Sequence, residues 1–222
     1  MRPLIALAAI RLDDGQDLRL FRRDAEYSIM LGGNELMNSR RFGSEQALAE
    51  LACARLAGRK QPRILIGGLG MGFTLRAALA ALGPEARIIV AELVPAVVDW
   101  AKGPMADIFG GCLADPRVDI RLGDVGVLIA AASAEYDAIL LDVDNGPDGL
   151  TRSGNDALYA PKGLGAAHRA LDTGGIFSVW SSAPDPAFTR RLKQAGFAVT
   201  EVPARAHGKR GARHVIWVAE KG

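Results

Sequence analysis

The chain has 222 residues, of which 49% are hydrophobic and 23% are charged, and its formal net charge is +2. This balance supplies ample core material and argues against a dedicated nucleic-acid binder, which concentrates basic residues on one face. Two cysteines are too few for a disulfide framework or a zinc site, and charges interrupt every long apolar run, so we expect a cytoplasmic protein with no membrane insertion.

The first 42 residues are predicted to form a small β segment. Short extended runs at residues 4–12, 17–22 and 25–31 are separated by the turn signals Asp-Asp-Gly and Arg-Asp. A sheet this small is marginal alone, so we expect it to pack against a neighbour, and we predict a homodimer. The predicted domains are therefore residues 1–42 and 43–222.

After a helix at residues 44–56, the chain alternates between strand and helix patterns. Most of the strands are nearly continuous apolar runs, as is typical of a parallel sheet with helices on both faces. The strands are predicted at residues 63–66, 87–91, 118–121, 136–141, 175–180, 197–202 and 214–218. We expect the last two to be antiparallel at one edge. The predicted fold class is α/β, with a seven-stranded Rossmann-like sheet and a small N-terminal β segment.

A glycine-rich turn follows the first strand of this alternation. Gly67, Gly68, Gly70 and Gly72 lie between the strand and the next helix. Such a turn lets a ligand lie against bare backbone at a helix N-terminus, although glycines also serve tight turns. The spacing differs from the Gly-x-Gly-x-x-Gly pattern of dinucleotide sites, which makes a nicotinamide reductase a weaker option. S-adenosylmethionine (SAM) sites tolerate looser glycine patterns.

Acidic residues follow the next two strands at the same predicted sheet edge. Glu92, twenty residues after Gly72, can accept hydrogen bonds from ribose hydroxyls, and Asp124 can accept one from an adenine amine. The alternatives are a solvated strand-end carboxylate for Glu92 and a helix N-cap for Asp124. We predict these cofactor-binding residues: Gly67, Gly68, Gly70, Glu92, Leu93, Asp124, Val125 and Asp142.

The strand at residues 136–141 leads into Asp142, Asp144 and Asn145. We predict that Asp142 is catalytic, because a carboxylate there can orient or deprotonate an amine nucleophile. A loop-start carboxylate bound to backbone amides is one alternative, and a divalent metal held by all three side chains is another, although we predict no metal site. The predicted substrate-binding residues are Asp144, Asn145, Tyr159, Trp180 and Ser181; for Tyr159 and Trp180, ordinary packing is an equal alternative.

Most of the chain resembles the spermidine synthase family (polyamine aminopropyltransferases) within the class I SAM-dependent methyltransferase superfamily. The segment Gly43-Ser44-Glu45 resembles that family's Tyr-His-Glu, and the glycine turn resembles its Gly-Gly-Gly-Asp-Gly-Gly loop. The resemblance implies that Glu92 binds ribose, that Gly123-Asp124 lies beside adenine, and that Asp142 is the base or amine-orienting residue.

Three departures from the family pattern bear on the reaction. The loop Asp falls on Gly70, the second acid of Asp-x-x-Asp falls on Asn145, and Tyr-His is replaced by Gly43-Ser44. A polyamine dication needs several carboxylates, and open loop amides would suit the carboxylate of intact SAM. We therefore predict methyl transfer from SAM to a small-molecule acceptor, an amine in the simplest case. The alternatives are aminopropyl transfer from decarboxylated SAM and a non-catalytic nucleoside-binding protein.

Overall fold

The computed structural model describes residues 3–143, 156–207 and 210–222, without the side chains of residues 206, 207 and 210–213. The N-terminal segment is an antiparallel sheet of four strands in chain order: β1 (Ile5–Arg11), β2 (Asp17–Arg23), β3 (Glu26–Leu31) and β4 (Asn34–Asn38). The sequence prediction missed β4. Leu31 pairs with Asn34 across the two-residue hairpin turn Gly32-Gly33. The sheet therefore does not end at this turn, which connects β3 to one further strand.

The rest of the described chain forms a seven-stranded sheet flanked by helices, in the order β10-β11-β9-β8-β5-β6-β7. The strands are β5 (Arg63–Gly67), β6 (Arg87–Glu92), β7 (Val118–Leu122), β8 (Tyr136–Leu141), β9 (Leu171–Ser181), β10 (Phe197–His207) and β11 (Arg210–Lys221). Six of them run in the same direction, and β11 runs antiparallel to both of its neighbours, β9 and β10. The predicted fold class, including the antiparallel pair at the edge, is confirmed.

The helices connect these strands and cover both faces of the sheet. They are α1 (Gly43–Ala54), α2 (Phe73–Ala81), α3 (Pro95–Lys102), α4 (Ala106–Phe109), α5 (Val125–Ala131), α6 (Asp156–Tyr159), α7 (Pro161–Ala170) and α8 (Pro186–Gln194), with a 3₁₀ turn at Cys112–Ala114. In the ranges that the structure describes, no helix is both long enough and apolar enough to cross a membrane.

The strand order reverses at β5, which lies between β6 and β8. The chain fills one side of the sheet with β6 and β7 and then returns to the other side with β8 and β9. In open α/β sheets, ligands bind beyond the carboxyl ends of the strands at such a reversal. The glycine turn, Glu92 and Asp142 follow or end β5, β6 and β8, so the topology brings them to one edge.

The N-terminal sheet packs on this same part of the molecule. Leu20 and Ile29 on its inner face are buried in one hydrophobic cluster with Ile64 and Ile66 of β5. The small sheet was expected to need a neighbour to pack against, and that neighbour is the larger sheet of the same chain. The domain boundary at residue 42 and the homodimer remain predictions.

Candidate active site

The glycine turn is packed directly against the segment that carries Asp142. Gly68 has a φ of +89°, and a Cβ placed on it would lie 2.5 Å from the carbonyl oxygen of Asp142. The Asp142 amide also donates a 3.0 Å hydrogen bond to the Gly67 carbonyl. Only glycine permits this approach, so the turn fixes the position from which the Asp142 side chain projects.

Glu92 is almost fully buried, with 7% exposure, and its carboxylate is bound by main-chain amides. The amides of Leu69 and Val94 donate to its two oxygens at 2.9 and 2.8 Å. Burial raises the pKa of Glu92, and these bonds, with others from the Gly70 and Leu93 amides, act in the opposite direction. Glu92 therefore fixes the glycine turn, and the solvated strand-end alternative does not apply.

A cleft, here called the donor cleft, runs along the turn from Asp142 past Glu92 to Asp124. Its second wall belongs to the N-terminal sheet and to the turn after β1, and consists of apolar residues: Leu12, Leu18, Ile29, Leu31, Leu36 and Met37. Met37 reaches Gly70, where an added Cβ would lie 3.2 Å from its sulfur. The small sheet thus closes over the predicted cofactor site.

The far end of the donor cleft is formed by residues after β6 and β7. Leu93, Asp124 and Val125, which are all predicted to bind the cofactor, line it. Asp124 is also the N-cap of α5, because its side chain accepts a 2.7 Å hydrogen bond from the Gly126 amide. The N-cap alternative is therefore correct, and it leaves the second carboxylate oxygen for a ligand. Base recognition by Asp124 and Val125 remains a prediction.

A second cleft, here called the acceptor cleft, adjoins the first. Its walls contain Asn38, Glu45, Phe73 and Trp180, together with Leu36, Leu69, Met71 and Gly72. Leu36, Met37, Gly70 and Asp142 line both clefts, so the two spaces meet beside Asp142. The structure thus has two adjoining clefts with a carboxylate at their junction, which is enough space for two molecules side by side.

Two carboxylates lie close together at this junction. Asp142 accepts a 2.6 Å hydrogen bond from the Thr74 hydroxyl, which also lies 3.2 Å from the main-chain carbonyl of Glu45. Burial, and then the nearby negative charge of Glu45, raise the pKa of Asp142 to about 7, while the Thr74 bond acts against this. Burial also raises the pKa of Glu45. A cation bound here would stabilise both ionised acids.

Glu45 is linked to the opposite side of the acceptor cleft through Ser44. The fully buried Ser44 hydroxyl donates to a Glu45 carboxylate oxygen at 2.7 Å and lies 2.9 Å from Nδ1 of His214 on β11. The His214 ring packs edge-to-face on Trp180, with centroids 4.8 Å apart. Trp180 itself lines the acceptor cleft, and its buried indole Nε1 has no hydrogen-bond partner among the described residues.

The other predicted substrate-binding residues lie farther from the two clefts or outside the described part of the chain. Tyr159 is buried against Phe188, and its hydroxyl lies 3.5 Å from the Val143 carbonyl. Ser181 is buried and bonds to the backbone of Ala183. Asp144 and Asn145 lie outside the described residues, so the structure does not test the alternative of a metal ion held by Asp142, Asp144 and Asn145. All four assignments remain predictions.

The sequence analysis missed several residues that line the two clefts or contact Asp142. Glu45 was matched to a family motif, but it was not assigned a role, and Thr74, Asn38 and Met37 were not considered. His214 was predicted only as the first residue of the last strand, whereas its ring lies 2.9 Å from the Ser44 hydroxyl. For Glu45, the match of its helix start to the family motif was an available signal. Thr74 and Met37 carry no local signal, because only the fold brings them to Asp142 and Gly70.

Comparisons with known proteins agree with the resemblance. The polyamine aminopropyltransferase of Mycobacterium tuberculosis is 32% identical over 146 residues, covering 62% of this chain and 27% of that protein. Putrescine N-methyltransferase 2 of Nicotiana attenuata is 30% identical over 176 residues, covering 75% of this chain and 45% of that protein. The chain thus spans less than half the length of these curated relatives. No protein-family model matches it.

Among solved structures, spermidine synthase from Thermotoga maritima superimposes with a TM-score of 0.77 at 20% identity. The alignment covers 98% of this chain and 72% of that chain. A likeness at this identity establishes the shared fold. Together with the sequence relatives, it confirms the resemblance to polyamine aminopropyltransferases and spermidine synthases that the motifs indicated.

Our prediction of methyl transfer is wrong by the same comparisons, since polyamine aminopropyltransferases recur among the relatives and spermidine synthases among the structural neighbours. The structure explains which premise failed. The amides of Leu69 and Gly70 are bound to Glu92, and the Gly68 amide donates to Ala91, so they are not open to an anion. Near Gly70 the cleft instead contains the carboxylates of Asp142 and Glu45.

Proposed function

We propose that this chain is a transferase that moves the aminopropyl group of decarboxylated SAM to an amine acceptor, with a diamine such as putrescine as the simplest substrate. The observation that carries the proposal is the meeting of two clefts at Asp142, with Glu45 beside it. The names of the relatives add that proteins of similar sequence act on polyamines and on putrescine.

The donor cleft suits decarboxylated SAM in shape and in charge. Glu92 has lone pairs beyond the two amide bonds that it accepts, and these can bind ribose hydroxyls. At the other end, the tail of decarboxylated SAM is an ammonium group, which Asp142 and Glu45 attract. The tail of intact SAM also carries a carboxylate, which the same two acids repel, so the junction favours the decarboxylated donor.

In this proposal Asp142 prepares the acceptor amine. An alkylammonium has a pKa of about 10, so it must lose a proton before its lone pair can attack. A carboxyl group with a pKa of about 7 can first bind the ammonium as a carboxylate and then take up its proton. Thr74, which bonds Asp142 at 2.6 Å, orients the carboxylate for this step.

The covalent step needs no further acid or base. The amine lone pair forms a C–N bond to the methylene carbon beside the sulfonium, and the C–S bond breaks with its electron pair retained by sulfur. The products are the aminopropylated amine, a neutral thioether nucleoside and one proton. Because the leaving group is neutral, alignment of the two substrates and exclusion of water supply most of the acceleration. The apolar wall from the N-terminal sheet provides that exclusion.

The test compares the two donors directly. Calorimetry is expected to show tighter binding of decarboxylated SAM than of SAM, and mass spectrometry is expected to show an aminopropylated product when decarboxylated SAM and putrescine are supplied together. Methylated putrescine formed from SAM, without any aminopropylated product, would overturn the proposal. Donor binding without product from any tested diamine or polyamine would support a nucleoside-binding protein in its place.

We also propose that the protein is a cytoplasmic homodimer. Both cysteines are unpaired, as is usual in a reducing compartment, and the outer edge of the N-terminal sheet exposes Leu4, Ile5 and Leu7. An exposed apolar edge strand is a ready site for pairing with a second copy. Light scattering on the purified protein is expected to give twice the chain mass, and a monomer at every concentration would contradict the dimer.

A further inference from the structure

We propose that a β-bulge at Leu36-Met37 forms one wall of the opening between the two clefts and aligns the two substrates, and that Glu35 holds this bulge from the outer face of the sheet. The inference rests on the proposed function, because it concerns how that reaction brings an amine to the donor. The bulge lies in β4, and both of its residues line both clefts.

The pairing of β4 with β3 shows the bulge. Ile29 on β3 lies opposite Met37. The next residue, Met30, lies opposite Glu35, so Leu36 is an extra residue that faces no residue of β3. In a regular strand, successive side chains point to opposite faces of the sheet. The extra residue interrupts that alternation, and Leu36 and Met37 both reach the clefts as a result.

The bulge faces Gly70 and Asp142 across the opening between the clefts, since these two residues also line both spaces. A Cβ on Gly70 would lie 3.2 Å from the Met37 sulfur, so Met37 occupies the space where a side chain at position 70 would begin. In the proposed reaction, the aminopropyl group must reach the amine through this opening, and the transfer requires the amine, the carbon and the sulfur to be close and in line. A displaced wall would therefore slow the transfer while the groups that bind each substrate remain in place.

Glu35 and Asn38 flank the bulge, and their side chains are joined across it. The Asn38 amide donates to one Glu35 oxygen at 2.7 Å, and the Ser28 hydroxyl donates to the other at 3.0 Å. The Asn38 side-chain oxygen accepts hydrogen bonds from the main-chain amides of Arg40 and Arg41, each at 3.1 Å. These bonds fix the spacing of residues 35 and 38, and so they restrict the two bulge residues between them.

Glu35 acts on the clefts through the bulge, because its side chain lies on the outer face of the sheet. It is exposed and lines a groove there with Ser28 and Met30, and it lines neither the donor cleft nor the acceptor cleft. Glu35 is therefore a positioning residue, whereas Leu36 and Met37 contact the substrates. Its substitution tests the alignment without changing a surface that a substrate touches.

The first kinetic test compares Glu35→Ala with Glu35→Gln. Glu35→Ala is expected to lower kcat about fivefold, with the donor dissociation constant and the acceptor KM within about twofold of wild type, because alignment and not binding is impaired. Glu35→Gln should retain kcat within about twofold, since its oxygen can accept from Asn38 and its amide can donate to the Ser28 hydroxyl. The matched control is Glu26→Ala, which removes another exposed glutamate from the same outer face and should leave kcat unchanged.

The second kinetic test removes the wall itself. Met37→Ala is expected to lower kcat about 30-fold, and Met37→Leu, which nearly conserves the volume, less than about threefold. In the double variant Glu35→Ala/Met37→Ala, kcat should stay within about twofold of that of Met37→Ala, because the side chain that Glu35 positions is already absent. Wild-type kcat in Met37→Ala would overturn the inference. So would equal losses in Glu35→Ala and Glu35→Gln, or losses that multiply in the double variant.

A measurement without turnover uses protein labelled with ¹³C at its methionine methyl groups, with the Met37 NMR signal assigned by Met37→Leu. Putrescine and decarboxylated SAM, each added alone, are both expected to shift the Met37 signal, because Met37 lines both clefts. The Met30 signal, from the outer face, should not move. A Met37 signal that responds to only one of the two ligands would overturn the shared wall.

The same spectra without ligand separate this inference from the proposed function. Glu35→Ala is expected to shift the Met37 signal, and Glu26→Ala is expected to leave it in place. An unmoved Met37 signal in Glu35→Ala would overturn the role of Glu35. A wild-type protein that forms no aminopropylated product would contradict the proposed function alone, and the spectra would still decide whether Glu35 positions Met37.

Discussion

The donor and acceptor clefts share the Asp142 junction, but the carboxylates of the two clefts have opposite surroundings. In the donor cleft, main-chain amides of the adjoining turn surround Glu92, so its charge is compensated by groups that cannot move away. At the junction with the acceptor cleft, Asp142 has one hydroxyl partner and a second acid nearby. Glu92 is therefore part of a rigid binding surface, whereas Asp142 and Glu45 still require a cation.

This difference indicates how the two substrates of the proposed reaction would be selected. The shape of the glycine turn, the apolar wall and the fixed carboxylate would recognise the donor. A negative field that is unfavourable until an ammonium group enters it would recognise the acceptor. Substitutions in the two clefts should consequently affect different kinetic constants, and the predictions below test that separation.

The largest effect is expected for Asp142→Asn. The amide retains the size and one acceptor of the carboxylate but cannot take up the proton of the acceptor amine, so kcat should fall about 1000-fold. Glu92 and the glycine turn are untouched and only the attraction of Asp142 to the ammonium tail is lost, so calorimetry should show a donor affinity lowered by no more than about tenfold. Thr74→Val, which removes only the orienting hydroxyl, serves as the graded control and should cost much less in kcat.

A variant Asp142→Asn with nearly normal kcat would remove Asp142 from the chemistry and would favour a purely binding role for the junction. A variant that loses donor binding and turnover together would mean that the two clefts are not separable at this residue.

The next effect concerns Glu92→Gln. Its amide group must face either the Leu69 or the Val94 amide, so one charge-assisted hydrogen bond becomes a contact between two donors, and the dissociation constant of the donor should rise about 30-fold. Calorimetry with decarboxylated SAM measures it. Glu85→Gln, a substitution of an exposed glutamate on the preceding loop, is the matched control. Equal donor affinity in both variants would show that Glu92 does not support the donor site.

The donor cleft was largely predictable because its determinants are local. Gly68, Glu92 and Asp124 each end or follow a strand, and parallel strands bring such residues to one edge by topology alone. The Glu92 amide contacts could not be foreseen in detail, since they depend on the conformation of the turn. The apolar wall from Leu18 and Ile29 was also missed, because nothing in an alternating strand pattern states which surface its inner face will cover.

The acceptor cleft was much less predictable because its contacts join distant parts of the chain. Ser44 and His214 are 170 residues apart, and Thr74 and Asp142 are 68 apart. Counting acids by their positions in a family motif suggested too few carboxylates for a polyamine. The error came from considering Gly70 and Asn145 while leaving Glu45 without a role, although the fold brings Glu45 to the same junction as Asp142.

A smaller effect, opposite in kind to that of Glu92, is expected for Glu45→Gln. Loss of one of the two negative charges should raise the acceptor KM about tenfold and weaken donor binding less, by about threefold, because Glu45 lines only the acceptor cleft and shares the attraction of the donor's ammonium tail with Asp142. Glu50→Gln on the exposed face of the same helix is the matched control. Steady-state kinetics with putrescine varied at saturating donor measures both constants. An unchanged acceptor KM would exclude Glu45 from acceptor binding.

The smallest effect is a pH dependence of stability that follows from the uncompensated charge at the junction. The pKa of Asp142 rises from 3.8 when unfolded to about 7 when folded, so between these values the folded state binds more protons than the unfolded state. Stability must then fall as pH rises from about 4 to about 7 and level off above that. Asp142→Asn resembles the neutral acid at every pH.

Asp142→Asn should therefore leave the free energy of unfolding nearly unchanged at about pH 3, below both pKa values, and raise it by about 1–2 kcal/mol at about pH 8, a figure kept below the full linkage value because the side chain retains some exposure. Thermal unfolding at the two pH values measures this, with Asp13→Asn on an exposed turn as the control. Equal shifts at both pH values would mean that the Asp142 charge is already compensated in the free protein. Asp142 would then resemble Glu92, and the junction would not require a bound cation to stabilise its charge.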